Sequence, residues 1–557
     1  MGSPPGFDCK PMRRARHLPL QRADHAGSRR ASRRQWRCMD LAMRRAASYP
    51  HPAGAVKRIE THISVVYLAG RYAYKIAKPV NLGFVDFTTA RERCRCAFAA
   101  LRLNRRLAPA IYLDVVPIRR IGRTFTMRRA RGASIVDHAL KMRRFDERDV
   151  FSNLLASGRL LASDVEHAAT SIASFHRRAS RHVPAHSLGS AQRVVTDIET
   201  VLHSLVREAP TLVDHDLRHW CREETARLRP HFAQRRAAGF VRECHGDLHL
   251  ENIVRLPGGV AAFDCIEFDE GLRWTDVTAD IAFTVMDFLA YGHGEFATRF
   301  LNRWLGATGD FDGLAALRFY IVYRALVRAL VARLKARDDT ATGTRYLTLV
   351  RNVIAAPRPF LVLCHGYSGS GKSVAAQALA PLAGAIRISS DMERKREKGT
   401  LADVESTRLP AAAYTHQSID SNYVRLSEIA SRLLAAGLPV IVDASFLARE
   451  HRAHFISLAQ RARVALLIAD FNADTNVMAS RLARRASDRS ESSDAGAAVL
   501  MQQMAQADVL THEERSLTIP FDTDVAREAL EHRDYWSPLL DRLPHGSWLS
   551  GTPHRAQ

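Results

Sequence analysis

The octapeptide GYSGSGKS at 366–373 constrains this chain more than any other stretch. It follows FLVLC (360–364), a continuous apolar run of the kind used by strands buried on both faces, and it precedes the helical text SVAAQALAPLA. The pattern G-x4-G-K-S between a strand and a helix is a phosphate-binding loop. Its glycines let successive backbone N–H groups point into one concavity, and the helix N-terminus adds positive potential. Lys372 then reaches the β and γ phosphates, and Ser373 is placed to bind Mg²⁺. Gly366, Tyr367, Ser368, Gly369, Ser370, Gly371, Lys372 and Ser373 are therefore the expected nucleotide-binding residues, with ATP and Mg²⁺ as ligands. Further apolar runs, PVIVDA (439–444) and RVALLIADF (463–471), are separated by helical segments and predict a doubly wound parallel sheet.

Three other features of this half carry chemistry. RISSDMERKR puts Asp391 at a strand end, where it would orient or deprotonate an acceptor hydroxyl while Arg394 and Lys395 bind anionic substituents. A helix N-cap at Ser390 or Asp391 explains the same text. PVIVDASF ends a strand on Asp443, suited to Mg²⁺ or its water shell, or again to capping. Arg481, Arg484 and Arg485 fall on one helical face, either as a lid over a transferring phosphoryl group or as a solvated face. These residues resemble the small P-loop kinases of the polynucleotide-kinase and zeta-toxin type, including the AAA_33 group, over about 357–535. The resemblance implies phosphoryl transfer from ATP to a hydroxyl, with acceptors ranging from nucleic-acid ends to sugars and nucleotide-sugars.

The N-terminal half has its own constellation. HGDLHLEN (245–252) supplies Asp247 and Asn252, and FDCIEF supplies Asp264 after the next strand. An aspartate on a loop accepts a substrate hydroxyl proton, an asparagine five residues on reaches a metal, and a second aspartate binds Mg²⁺ under the phosphates. This resembles the aminoglycoside phosphotransferase family, a relative of the protein-kinase fold. The resemblance makes Asp247 the catalytic aspartate, Asn252 and Asp264 the metal ligands, and Lys75 in AYKIAKPV the lysine that holds the α and β phosphates. It extends over about 50–340. Its details (ETHIS, LGFVDF, LNRRLAP, DVTADIAF) are similar to bacterial proteins that fuse such a domain to a P-loop kinase. Two features depart from the family. AFAA (97–100) holds no glutamate to pair with Lys75, leaving Glu92 as the candidate, and ETHISVVYLAGRY offers only Gly70 where a glycine-rich loop is usual. Lys78 is an alternative phosphate ligand.

The expected fold class is thus α/β and α+β in two domains: a protein-kinase-like (aminoglycoside phosphotransferase) N-terminal fold and a C-terminal P-loop NTPase doubly wound sheet. The expected boundaries are a disordered basic extension at 1–50, a kinase-like domain at 51–345, a linker at 346–359 around AAPRP, the P-loop kinase domain at 360–535 and a tail at 536–557. Residues 1–50 hold twelve Lys or Arg against three Asp and little apolar periodicity. They read as a disordered tail, an organelle-type presequence, or sequence ahead of a start at Met39 or Met43. Net charge is +23, but only nine of the 81 basic residues are lysine and no basic stripe appears, which disfavours nucleic acid as the partner. The eight cysteines show no CxxC spacing and fit a reduced, cytoplasmic protein. Arg324, Arg328 and Arg333 interrupt the most apolar helical stretch, so no membrane span is expected. The expected activity is transfer of the ATP γ-phosphate to a small-molecule hydroxyl by two kinase-type modules. The alternatives are a C-terminal kinase regulated by an inactive N-terminal domain, a polynucleotide 5′-hydroxyl kinase, or an ATP-gated binding protein.

Overall fold

The computed structural model describes residues 25–82, 85–335, 340–355, 357–397, 415–487, 497–544 and 548–550. The chain divides into two compact units, one of residues 1–101 and 113–144, the other of 102–112 and 145–557.

The first unit is built on a six-stranded sheet of β1 (Lys57–Glu60), β2 (Ser64–Ala69), β3 (Tyr72–Ala77), β4 (Tyr112–Ile121), β5 (Thr124–Thr126) and β6 (Ser134–Arg143), in the order β1-β2-β3-β6-β4-β5. Alternation in SVVYLAGRYAYKIA forms the β2–β3 hairpin. Gly70 turns it at φ +59°, where a Cβ would lie 2.7 Å from the Pro52 carbonyl oxygen. The helix Ala90–Asn104 follows, and its Arg93 makes a buried ion pair with Asp137 of β6 at 2.8 Å. The expected disorder of residues 1–50 is corrected from residue 25 onward. His25–Met43 is a helix, and Met39, Met43 and Tyr49 are buried with Val65, Tyr67 and Tyr74 of the sheet. Asp40 on the same helix accepts from Arg58 at 2.8 Å and from the Tyr67 hydroxyl. Composition pointed to disorder because arginine dominates the segment, but its few apolar residues recur at helical spacing and cover the sheet.

The second unit begins with helices. Phe151–Ala156, Ala162–Arg178, Ala191–Glu208 and His215–Ala237 lead into the short strands β7 (Val241–Glu243), β8 (Ile253–Leu256), β9 (Gly259–Ala262) and β10 (Trp274–Asp276). β8 and β9 form an antiparallel hairpin, and β7 pairs with β10. The helix Val277–Ala290, capped by Asp276, is buried almost all round, which its near-continuous apolar text requires. Gly294–Thr308, Leu317–Lys335 and Thr340–Ile354 follow.

The chain then enters the parallel sheet of β11 (Phe360–His365), β12 (Ile386–Ser389), β13 (Val440–Asp443), β14 (Ala465–Asn472) and β15 (Thr518–Asp522), in the order β12-β13-β11-β14-β15. Every neighbour pair is parallel, so each connection crosses over through helical segments that cover the faces. The strand order reverses beside β11, and the carboxyl ends of β11, β12 and β13 therefore open onto one crevice.

Two expected boundaries are corrected. Residues 346–354 of the proposed linker belong to Thr340–Ile354, with Tyr346, Val350 and Val353 buried, and only the residues after it cross to β11. The proposed tail contributes Trp536 and Leu539 to the core beneath β11 and buries Trp548 and Leu549. Leu301 and Leu305 of the helical part, Leu363 and Ile386 of the sheet, and Trp548 all share one apolar core. A fragment starting at Phe360 would expose that face to water. It is expected to aggregate, or to unfold well below the full chain, when the two are compared by differential scanning calorimetry.

Candidate active sites

In the kinase-like half, Lys75 lies on β3 opposite Leu140 of β6, half-buried. The alternative lysine, Lys78, pairs with Glu60 at 3.0 Å. Glu92 pairs with Arg95 at 2.8 Å on an exposed face of its helix. The β1–β2 turn is Thr61-His62-Ile63, without glycine, closed by the Ser64 N–H donating to the Thr61 hydroxyl at 3.0 Å. This turn is thus short and side-chain-bearing.

The second unit brings Asp247, Asn252 and Asp264 onto neighbouring loops. Asn252 Nδ2 donates to the Asp247 carbonyl at 2.9 Å and to its Oδ2 at 3.1 Å. His245 Nε2 donates to the Phe263 carbonyl at 3.0 Å, and the Phe263 N–H donates to the Asn252 carbonyl at 2.9 Å. These bonds lock the Asp264 loop to the Asp247 loop. Asp264 holds φ +62°, a left-handed conformation that few non-glycine residues adopt, and its N–H donates to the Tyr112 hydroxyl at 2.9 Å. Gly246 needs its φ of +86° as well, because a Cβ there would lie 2.9 Å from the Leu272 carbonyl oxygen.

Residues not singled out in the sequence hold this loop. Asp280 accepts the Gly246 N–H at 2.8 Å and the His245 N–H at 3.1 Å, and His176 Nε2 lies 3.0 Å from the same carboxylate. Burial alone would raise the Asp280 carboxyl, but His176 and His245 hold it below the usual carboxylate range. Asp287 accepts the Leu250 N–H and the Tyr346 hydroxyl, both at 3.0 Å, so a residue of the proposed linker supports the Asp247 loop. His249 Nε2 lies 3.3 Å from the Asp247 carboxylate. Burial would raise the Asp247 carboxyl; His249 first, then His245 and Arg328, outweigh it and hold the group far below its ordinary value. His176, Cys244 and Asp280 also stand close enough together to share a metal ion. Asp280 is already committed to the loop, and burial pushes the Cys244 thiol well up, so the trio serves as scaffold.

In the C-terminal half, Gly366, Gly369 and Gly371 have φ of +145°, +85° and +79°. A Cβ at Gly366 would lie 2.7 Å from the Phe471 carbonyl oxygen, and one at Gly369 2.7 Å from that of Met478. The loop therefore wraps tightly enough to exclude side chains, as a phosphate cradle must. Tyr367 packs beside Met478 and Leu482, and the Ser368 N–H donates to Gln503 at 2.8 Å. Ser370 is fully buried, and among the described residues its hydroxyl has no hydrogen-bond partner. Lys372 Nζ donates to the Tyr367 carbonyl at 3.2 Å, and the Ser373 hydroxyl donates to Asp443 Oδ1 at 3.1 Å. A cradle of positive-φ glycines, a lysine at the helix start and a serine–aspartate pair fit the donor set that a nucleotide's phosphates and Mg²⁺ require.

The other oxygen of Asp443 is held by Arg387 of β12, through Nη2 at 2.5 Å and Nε at 3.1 Å. Nothing in RISSD distinguishes this arginine from the chain's many others. Asp391, on the helix Ser390–Glu397, pairs with the buried Lys395 at 3.3 Å. The Ser390 carbonyl accepts from Asn422 at 3.0 Å, and the Tyr423 hydroxyl contacts Ser445 at 3.3 Å, beside the loop's Gly366. Arg481 Nη2 donates to the Thr523 carbonyl at 2.8 Å, and its Nη1 reaches the Gly369 carbonyl at 3.4 Å, so this arginine braces the phosphate loop. Arg484 is exposed on the same helix, Thr475–Ser487, while the Arg485 side chain and residues 488–496 lie outside the described residues. At the loop's entrance His365 Nδ1 lies 2.6 Å from Asp470. Burial would raise the Asp470 carboxyl, and His365 and Asn472 lower it below the ordinary range.

Residues 361–510 match the family AAA_33, an AAA domain. An uncharacterized protein of Mycobacterium tuberculosis (strain H37Rv) is 29% identical over 459 residues, which is 81% of this chain and 90% of that protein. Among solved structures, a sugar kinase from Janibacter sp. is 21% identical and covers 34% of this chain and 99% of its own, with a TM-score of 0.25. The GDP complex of aminoglycoside 2′-phosphotransferase-IIIa is 13% identical and covers 54% of this chain and 93% of its own, with a TM-score of 0.34. A choline kinase from Cryptosporidium parvum is 12% identical and covers 55% of this chain and 92% of its own, with a TM-score of 0.36. No helix among the described residues is long and apolar enough to cross a membrane.

Proposed function

We propose that this chain is an Mg²⁺-dependent phosphotransferase that moves the ATP γ-phosphoryl group to a hydroxyl of a small molecule, with two kinase-type modules. The observation that carries the proposal is the loop at 366–373: three glycines at positive φ, Lys372 at the start of the following helix, and Ser373 bonded to Asp443. Ser373 and Asp443 would hold Mg²⁺ there, and Asn252 and Asp264 would hold it in the kinase-like module. Bound Mg²⁺ would neutralise charge on the β and γ phosphates. The protein's own part is to cradle the phosphates with loop N–H groups and Lys372, brace the loop through Arg481, and place an acceptor hydroxyl against Asp391. In the kinase-like module Asp247 would take the hydroxyl's hydrogen bond.

A second reading, one working P-loop kinase regulated by an inactive kinase-like half, is favoured by the glycine-free β1–β2 turn and by Glu92 being paired with Arg95. Because the helical part and the sheet share a core, the full chain decides between the two readings. A metabolite mixture is incubated with Mg·ATP and wild type, Lys372→Ala or Asp247→Asn, and phosphorylated products are read by mass spectrometry. Two products, each lost in one variant, are expected. Products lost only in Lys372→Ala would establish the second reading, and products that survive both changes would refute the proposal.

A further inference from the structure

The helix Gly294–Thr308 touches both candidate centres through polar contacts that its packing alone does not require. At its middle, Trp304 is fully buried, and its Nε1 donates to His176 Nδ1 at 3.3 Å. That bond makes Nδ1 an acceptor, so Nε2 carries the proton and donates to Asp280 at 3.0 Å. Asp280 in turn holds the Gly246 and His245 N–H groups immediately before Asp247. A helix residue that carries an indole, rather than another apolar ring, thus sets the tautomer of the histidine that supports the catalytic loop.

On its other face the same helix completes the edge of the P-loop sheet. Asn302 Nδ2 donates to the Ala385 carbonyl at 2.9 Å, and Asn302 Oδ1 accepts the Arg387 N–H at 2.7 Å. One side chain does what a further strand would do for β12. Arg387, held by its backbone in this way, grips Asp443, whose first oxygen accepts from Ser373 of the phosphate loop. At the helix's C-terminal turn, Arg396 donates to the Leu305 carbonyl at 3.0 Å, and it is carried by Ser390–Glu397, the helix of Asp391. The Arg387 contact therefore reaches the metal side of the P-loop centre and the Arg396 contact its acceptor side.

We propose that Gly294–Thr308 couples the two phosphotransferase centres, so that nucleotide in one changes the affinity of the other. The coupling rests on both centres binding nucleotide, as proposed above. Ligands at the P-loop draw on Asp443, the carboxylate that Arg387 grips, and so bear on β12 and Asn302; ligands at Asp247 bear on Asp280, His176 and Trp304. Both sets of forces meet on one rigid helix two residues apart. A coupling of this kind is reciprocal, because the free energy of loading both sites is independent of order.

The test is binding of a fluorescent ATP analogue with Mg²⁺ to the full chain by titration calorimetry and fluorescence. Lys372→Ala isolates the Asp247 centre, Asp264→Ala isolates the P-loop centre, and wild type reports both. Each isolated centre is expected to bind one equivalent, and the wild-type affinities are expected to depart from the isolated ones by about fivefold or more, by the same factor at each centre. Asn302→Ala or, keeping the ring, Trp304→Phe should bring that factor toward one while each centre still binds. Equal affinities in wild type and single-centre proteins would overturn the coupling while leaving both centres standing. A factor unchanged by both Asn302→Ala and Trp304→Phe would overturn the helix as its carrier. Failure of the Lys372→Ala protein to bind any analogue would overturn the coupling together with the two-module reading, and the stoichiometry tells these results apart.

Discussion

Lys372→Ala is expected to lower phosphoryl transfer by the P-loop centre about 10²–10³-fold, the usual cost of losing one aimed donor at a site of developing charge. Lys372 sits at the first position of the helix Lys372–Ala383, and its amine currently donates to the Tyr367 carbonyl of its own loop. Its place at the helix start lets the amine turn toward a phosphate without moving the helix. The substitution removes a half-buried side chain from a structure that the glycine cradle, Thr523 and Arg481 already hold, so thermal unfolding should change little. Lys372→Arg should fail nearly as badly, because a planar guanidinium does not replace a compact ammonium inside so close a loop. The measurement is product formation from Mg·ATP in an Asp247→Asn background, beside a melting curve. A variant that melts like wild type and keeps its rate would show that the loop is not the centre of the chemistry.

The loop was legible because everything that makes it is contiguous: an apolar strand, eight residues and a helix start. The set of Asp247, Asn252 and Asp264 was legible for a similar reason, since eighteen positions hold it and the intervening β8–β9 hairpin fixes its return. What supports these sets was not legible. Asp280 lies in the apolar text DVTADIAF, where an aspartate on a buried helix looks like an interruption until the N–H groups it accepts are seen. Arg387 and Asn302 meet across more than eighty residues of chain, and neither local spacing nor composition carries such a pairing. The misplaced boundaries have one cause. Prolines near 357 and arginines before residue 50 are local signals, whereas Tyr346, Met39, Met43 and Trp548 are held by tertiary burial, which overrides them.

Asp247→Asn is expected to remove about 10²–10⁴-fold of the activity of the kinase-like centre, and the state of His249 explains what kind of base is lost. Burial pushes the His249 imidazole down, but the Asp247 carboxylate beside it more than restores the charge and leaves the pKa above its ordinary value. The same contact depresses Asp247, so the two behave as an ion pair. A depressed carboxyl contributes stability that is present above the ordinary carboxylate pKa and is lost as pH falls through the folded value. A raised imidazole contributes stability that is complete below its ordinary pKa and is lost as pH rises through its folded value. The pair is therefore fully formed between the ordinary values of 3.8 and 6.5 and weakens on the alkaline side. Within that window Asp247 is always ionised and is a weak base, which suits aligning a hydroxyl by hydrogen bond more than removing its proton early. His249→Gln should keep a polar contact while removing the charge, raise the Asp247 carboxyl, and bring an acid limb into the pH–rate profile that wild type lacks. The profile is measured in a Lys372→Ala background so that only this centre turns over. A His249→Gln profile that superimposes on wild type, with no acid limb, would mean that His249 does not set the charge on Asp247.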